Sequence, residues 1–289
     1  MSESVIADFV GKFNASASDR GQPATGRILL SQKRLVLAGE GGKTTIPLSD
    51  IFDVAVGHVP PDLGDFFDST VTIAFRRGDR RHVAAVEADD GKIGKFSTVL
   101  FKALLNGTRT TVKHPARVGG RVTDETFHPA KLYLEPKTVR FKGPDSTFAV
   151  DLSTVTDFER GRRDVNGTKQ EVLSVRHMQD GQAMTSLAAL DSAREMSILG
   201  RYLRLEYSDI VADLADISLS EQETELLVAV YSTGPGVSLA NVVDVEPSQL
   251  EMLLADMREK ELIEDGDETT TLTAKGRIVV SDKLEAVNS

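Results

Sequence analysis

The chain has 289 residues, with 34 Lys and Arg against 44 Asp and Glu and no cysteine. That length accommodates two or three domains, and a hydrophobic share of 40% supports ordinary cores. Without cysteine, disulfides, thiolate chemistry and cysteine-ligated zinc are excluded, and no apolar run is long enough to span a membrane.

The first residues, Met1-Ser2-Glu3-Ser4, are polar and acidic, unlike a secretory signal, so a cytoplasmic protein is expected. Residues 27–39 then recur at 131–143 without a gap, at an offset of 104. The same offset pairs Ile46 with Val150, Leu48 with Leu152, Ser49 with Ser153, Ile51 with Val155 and Asp53 with Asp157. A period of this length means two copies of a whole domain rather than a solenoid. In the first copy Ile28 and Leu30, Leu35 and Leu37, and Ile46 and Leu48 alternate with polar neighbours, which predicts half-buried strands. Gly39-Glu40-Gly41-Gly42-Lys43 resembles a phosphate loop only superficially. It lacks the P-loop spacing and a following helix, so it reads as a hairpin turn. Further strands are expected at 70–75 and 82–86. A helix capped by Asp89 or Asp90 should follow, with Ile93, Phe96, Val99, Leu100, Ala103 and Leu104 on its apolar stripe.

The second copy repeats the pattern with Leu132 and Leu134, Val139 and Phe141, and Val150 and Leu152. Strands at 171–177 and 183–187 precede a helix capped by Asp191, with Ala193, Met196, Leu199 and Leu203 on its stripe. A curled antiparallel sheet closed by a C-terminal amphipathic helix is the pleckstrin-homology architecture, which hosts many functions. From about Ile217 the pattern changes. Ser220 opens a helix with an acidic first turn, 238–243 reads as a short helix, and Glu246-Pro247 opens a third. Strands at 262–264 and 270–272 flank Asp265-Gly266-Asp267, and Thr273 starts a last helix. This order is the winged-helix plan. The expected class is α+β: a pleckstrin-homology-like domain at 1–115, a second at 116–213, and a winged-helix domain at 214–289.

Charge bears on what the last domain binds. Residues 216–289 hold 16 acidic and 5 basic residues, so all of the negative excess lies there. Duplex binding requires Lys and Arg against phosphates, and a reading helix and wing carrying Glu251, Glu259 and Asp265 would repel them. The alternative of a winged-helix transcription regulator is disfavoured for that reason, and no nucleic-acid partner is expected. None of His58, His82, His114, His128 and His177 stands in a metal or nucleophile motif, so no enzyme activity, metal or cofactor is expected. Two features remain as candidate partner contacts. Basic clusters at Arg76, Arg77, Arg80 and Arg81 and at Arg160, Arg162 and Arg163 read as loops offering paired donors to carboxylates or phosphates. Phe66 and Phe67 stand among aspartates in an insertion of the first copy.

The tandem stretch 27–53, its echo at 131–157 and the acidic segment 262–280, including Leu272-Thr273-Ala274-Lys275-Gly276-Arg277, resemble the CheF family of archaeal taxis proteins over nearly the whole chain. The resemblance implies a non-enzymatic adaptor between the chemotaxis response regulator CheY and the switch proteins of the archaellum motor. It carries over no catalytic residue; no membrane insertion is expected, because no apolar run is long enough.

Overall fold

The computed structural model describes residues 4–15, 23–57, 70–144, 146–179, 182–215, 217–232, Leu239, Val243, 245–265 and 270–287. The class is α+β, with two large antiparallel sheets and few helices. The first sheet is built from β1 (Val5–Asn14), β2 (Ala24–Ser31), β3 (Arg34–Gly39), β4 (Gly42–Pro47), β5 (Ile51–Val56), β6 (Val71–Arg77) and β7 (Arg80–Glu87), and α1 (Asp90–Leu105) follows it. The second takes β8 (Arg109–Val118), the short β9 (Arg121–Val122), β10 (His128–Glu135), β11 (Thr138–Lys142), β12 (Thr147–Asp151), β13 (Val155–Val165), β14 (Thr168–Gln179) and β15 (Gln182–Leu190), with α2 (Ala193–Ala215) after it.

The strand orders are β4-β3-β2-β1-β7-β6-β5 and β12-β11-β10-β8-β15-β14-β13, the same path twice. The sequence echo recurs in atomic detail. Leu48 N–H donates to the Lys33 carbonyl at 2.9 Å, and Leu152 N–H donates to the Lys137 carbonyl at 2.8 Å. Each donor opens a 3-10 turn, Leu48–Asp50 or Leu152–Thr154. A register shift follows in both sheets, between Ile51 and Asp53 and between Val155 and Asp157. The expected core pairs Leu35 and Val139, Leu37 and Phe141, and Leu48 and Leu152 are all buried.

Several expectations are corrected. The opening strands β1 and β8 were not foreseen. β8 pairs with β10 and β15, so the second sheet begins at Arg109. The α1 cap is Asp89, whose carboxylate accepts from Lys92 N–H at 3.1 Å. The α2 cap is Ser192 rather than Asp191: its hydroxyl accepts from Glu195 N–H and donates to the Glu195 carboxylate. The hydroxyl thereby satisfies the orphan Glu195 N–H, which Asp191, one residue too early, does not reach. Ala193, placed on the apolar stripe, is exposed. The basic residues expected on loops lie on strands, because β6–β7 and β13–β14 form long hairpins that turn only at Gly78-Asp79 and Asn166-Gly167.

The two sheets share one apolar core through their helices. Phe101 of α1 packs against Tyr202 of α2 with ring centroids 5.5 Å apart. Arg194 of α2 donates to the Ile51 carbonyl and, at 2.6 Å, to the Leu48 carbonyl, while Arg201 forks onto Asp53 at 3.1 Å. Arg194 thus satisfies two backbone acceptors at the 3-10 turn that leads into β5. Replacing Arg194 by Met keeps the aliphatic stem and orphans both carbonyls. A loss of about 1–3 kcal/mol is expected in denaturant unfolding, against little change for a surface Arg such as Arg121.

The C-terminal unit has its own core. It contains α3 (Glu221–Ser232), α4 (Pro247–Glu259), the hairpin β16 (Ile263–Asp265) and β17 (Thr270–Leu272), and α5 (Ala274–Val287). Ser220 and Glu223 form a reciprocal cap on α3, as the acidic first turn implied. The helix expected at 238–243 and the turn expected at Asp265-Gly266-Asp267 lie largely outside the described residues. Among the described residues, no helix is long and apolar enough to cross a membrane.

Candidate functional site

The β6–β7 hairpin places four guanidinium groups at one end of the first sheet. Arg76 stands opposite Arg81, and Arg77 opposite Arg80. Like charges directly across a sheet destabilise it, so this arrangement costs the fold something. All four are exposed, and among the described residues none pairs with a carboxylate. Arg76 and Arg81 lean over the Phe52 ring, 5.7 and 5.6 Å from its centroid, which orders their planes without neutralising them. The outcome is a preorganised set of donors facing solvent.

The second cluster differs. Arg160 pairs with Glu171 at 2.5 Å and Arg163 with Glu159 at 2.8 Å, while Arg162 stands exposed between them. β13 is also the outer strand of its sheet, where charged side chains discourage edge-to-edge pairing. Two of these three cations therefore have a local structural role. Sequence reasoning missed the groove beside them, a cavity of about 320 Å³ between α2 and β13–β14 lined by Phe158, Arg160, Arg201 and Arg204. Arg201 and Arg204 lie on the helix, and only the folded chain brings them to β13.

In the C-terminal unit Glu251 and Glu259 are exposed on α4, and Asp265 ends β16. Arg258 forks onto Asp265 at 2.7–3.2 Å. Lys260 binds Glu223 at 2.6 Å, and Lys275 binds Glu261. Burial alone would raise the Glu223 carboxyl. The Lys260 ammonium and the N–H and hydroxyl of Ser220 outweigh it and hold the group below the usual carboxylate range. Three of the unit's five basic residues are thus consumed internally. Glu221, Glu225, Glu246, Glu251, Asp256, Glu259 and Glu264 make no ion pair among the described residues, and the surface excess is acidic. Phe66 and Phe67 lie outside the described residues. Among the described residues no group of three or more His, Asp or Glu is arranged to hold a metal ion.

Residues 5–209, from β1 through most of α2, match the family model described as archaeal chemotaxis signal transduction system protein F. Two curated proteins of Halobacterium salinarum are similar along their whole lengths. Taxis protein CheF2 is 47% identical over 288 residues, covering 100% of both chains. Taxis protein CheF1 is 30% identical over 291 residues, covering 98% of both. The tandem sheets account for the family match and the full-length relatives extend it through the acidic unit, so the chain belongs to the CheF family of archaeal chemotaxis signal transduction proteins.

Proposed function

We propose that this protein is a non-enzymatic cytoplasmic adaptor that couples the response regulator CheY, in its phosphorylated form, to the archaellum switch proteins. In this reading residues 1–115 and 116–213 are pleckstrin-homology-like domains, and 214–289 is an acidic winged helix used for protein contact. The observation that carries the reading is the segregation of unneutralised charge. Among the described residues, four arginines without an ion pair crown one end of the first sheet, and carboxylates without an ion pair lie on the C-terminal unit. A bridge needs two separable surfaces, and opposite charge lets each reject the other's partner. To respond to signalling, one surface must bind the phosphorylated regulator more tightly than the unphosphorylated one, because only differential affinity shifts a population.

The experiment is binding of purified CheY, phosphorylated and not, and of purified switch proteins to two variants. Arg76, Arg77, Arg80 and Arg81 all changed to Glu should weaken one partner at least tenfold, since like charges at an interface cost over 1.4 kcal/mol. The other partner should be spared. Removing 216–289 should do the reverse, with the tandem sheets still folded on their own core. If both variants lose both partners, or neither loses any, the two-ended adaptor is wrong. DNA retardation by the full chain at moderate salt would instead support a transcription regulator.

A further inference from the structure

The outer face of the second sheet carries a cluster that the adaptor reading does not use. Register places its residues in two rows across neighbouring strands. One row is Lys113 on β8, Leu187 on β15, Ser174 on β14 and Glu159 on β13. The other is Arg117 on β8, Thr185 on β15 and Arg176 on β14, with Val122 of β9 flanking Arg117. Together with Arg163 they line a cavity of about 230 Å³.

Its charge is unbalanced. Glu159 is taken by Arg163 at 2.8 Å, and the Arg163 Nε is buried without a hydrogen-bond partner. Lys113, Arg117 and Arg176 make no ion pair among the described residues. Asp157, across from Arg176 in register, forms no ion pair with it. Three uncompensated cations and two hydroxyls, those of Ser174 and Thr185, therefore face one concavity.

The repeat supplies an internal control. By the same register, Asn14, Ala85, Thr72 and Ala55 occupy the first row in the first sheet, and Val83 and Ala74 lie in the second. That sheet folds along the same path with no charge on these positions. Lys113 and Arg176 are therefore not a requirement of the architecture.

We propose that this face is a binding site for a phosphate group, distinct from the arginine hairpin of the first sheet. Stoichiometry of donors favours phosphate over a carboxylate. A carboxylate offers two oxygens, which one guanidinium fork satisfies. A phosphate offers three acceptor oxygens and up to two charges, which matches three cations with hydroxyls between them. Arg117 and Arg176 stem from strands two spacings apart, about 10 Å, a span that two long side chains close around a group of that size. A segment reaching back over the sheet supports the wall: Phe127 packs with Val165, Val172 and Ala189, and Asn166 donates to the Phe127 carbonyl at 3.4 Å.

The test uses the full chain at constant ionic strength, set with KCl. Calorimetric titrations with inorganic phosphate and pyrophosphate run beside sedimentation with vesicles bearing phosphate headgroups and titration with a poly-glutamate peptide. Arg117→Gln/Arg176→Gln is compared with Arg80→Gln/Arg81→Gln. Pyrophosphate binding that falls roughly tenfold or more in the first variant and is unchanged in the second supports the site with a soluble ligand. Vesicle binding with the same variant dependence, without soluble binding, supports it with a lipid source. Equal loss in both variants, equal binding of poly-glutamate, or no binding in any arm overturns it.

Discussion

Acidification from pH 6.5 to 4 is expected to cost the paired sheets about 3 kcal/mol through His177 alone. His177 is buried on β14, and its Nε2 lies 3.0 Å from the Ser186 hydroxyl oxygen. On the other side of that hydroxyl is the His114 Nδ1, at 2.7 Å, with the His114 ring stacked 4.0 Å from Phe148. Burial, and then the neighbouring His114, push the His177 pKa down to about 4, against a backbone hydrogen bond at Met178 that raises it. Burial also lowers His114, with Glu125 opposing. The hydroxyl can donate its one proton to the bare nitrogen of one ring only, and accepts from the N–H of the other. Protonating both rings turns both into donors and leaves the serine proton without an acceptor.

The sign follows from proton binding. Below 6.5 the unfolded chain protonates this histidine and the folded chain does not, so stability falls with pH across the window from 6.5 to about 4 and is fully present above it. The repeat again provides the control. By strand register the first sheet has Phe75 and Ala84 where the second has His177 and Ser186. The variant His177→Phe/Ser186→Ala copies that apolar pair. Carboxylates elsewhere keep titrating in both proteins, so the quantity to measure is the difference in unfolding free energy between pH 6.5 and 4.5. It should be smaller in the variant by about 2 kcal/mol. Equal losses would show that His177 does not carry the acid sensitivity.

The legible part of the fold was the part that keeps one offset. From β2 to β5 and from β10 to β13 the two copies run 104 apart, and their alternation, turns and 3-10 turns could be read twice. The first strand broke the pattern. In register Lys12 corresponds to Thr111, an offset of 99, so no echo marks it. β1 exposes Val5 and Val10, which blurs the period of two, and β8 contains Pro115, which argues against a strand. The charge map of the C-terminal unit was legible because it needs only composition. Which arginines stay unpaired was not, because it depends on cross-strand neighbours. Glu159 and Glu171 neutralise β13, whereas among the described residues no carboxylate pairs with the arginines of β6 and β7. Lys113, Arg117 and Arg176 are scattered in sequence and converge only through sheet register.

Gly276→Ala should destabilise the C-terminal unit by about 3 kcal/mol or more while leaving the tandem sheets intact. Gly276 sits in the first turn of α5, which is capped by Thr273: the Thr273 hydroxyl accepts from Gly276 N–H at 3.1 Å. The helix start rests on the Leu262 backbone, whose carbonyl accepts from Thr273 N–H at 3.1 Å. A Cβ on Gly276 would stand 2.0 Å from that carbonyl oxygen and 3.0 Å from its carbon. The obstacle is backbone, not the far end of a flexible side chain, so α5 must lift off β16 and open the core that Leu262, Leu272 and Val280 close. For a unit of this size the loss corresponds to a fall of roughly 10–20 °C in its melting temperature. By contrast Gly94, inside α1, has open space where a Cβ would go, so Gly94→Ala should gain up to about 1 kcal/mol. Calorimetry of both variants, with limited proteolysis to locate the unfolded region, separates the outcomes. A Gly276→Ala protein that melts like the parent would mean that α5 does not pack against Leu262 in solution. If the variant melts as expected, it also tests the adaptor without truncation. On the proposed two-ended adaptor, a partner of the acidic unit should be lost with the unit's fold, and a partner of the arginine hairpin should remain.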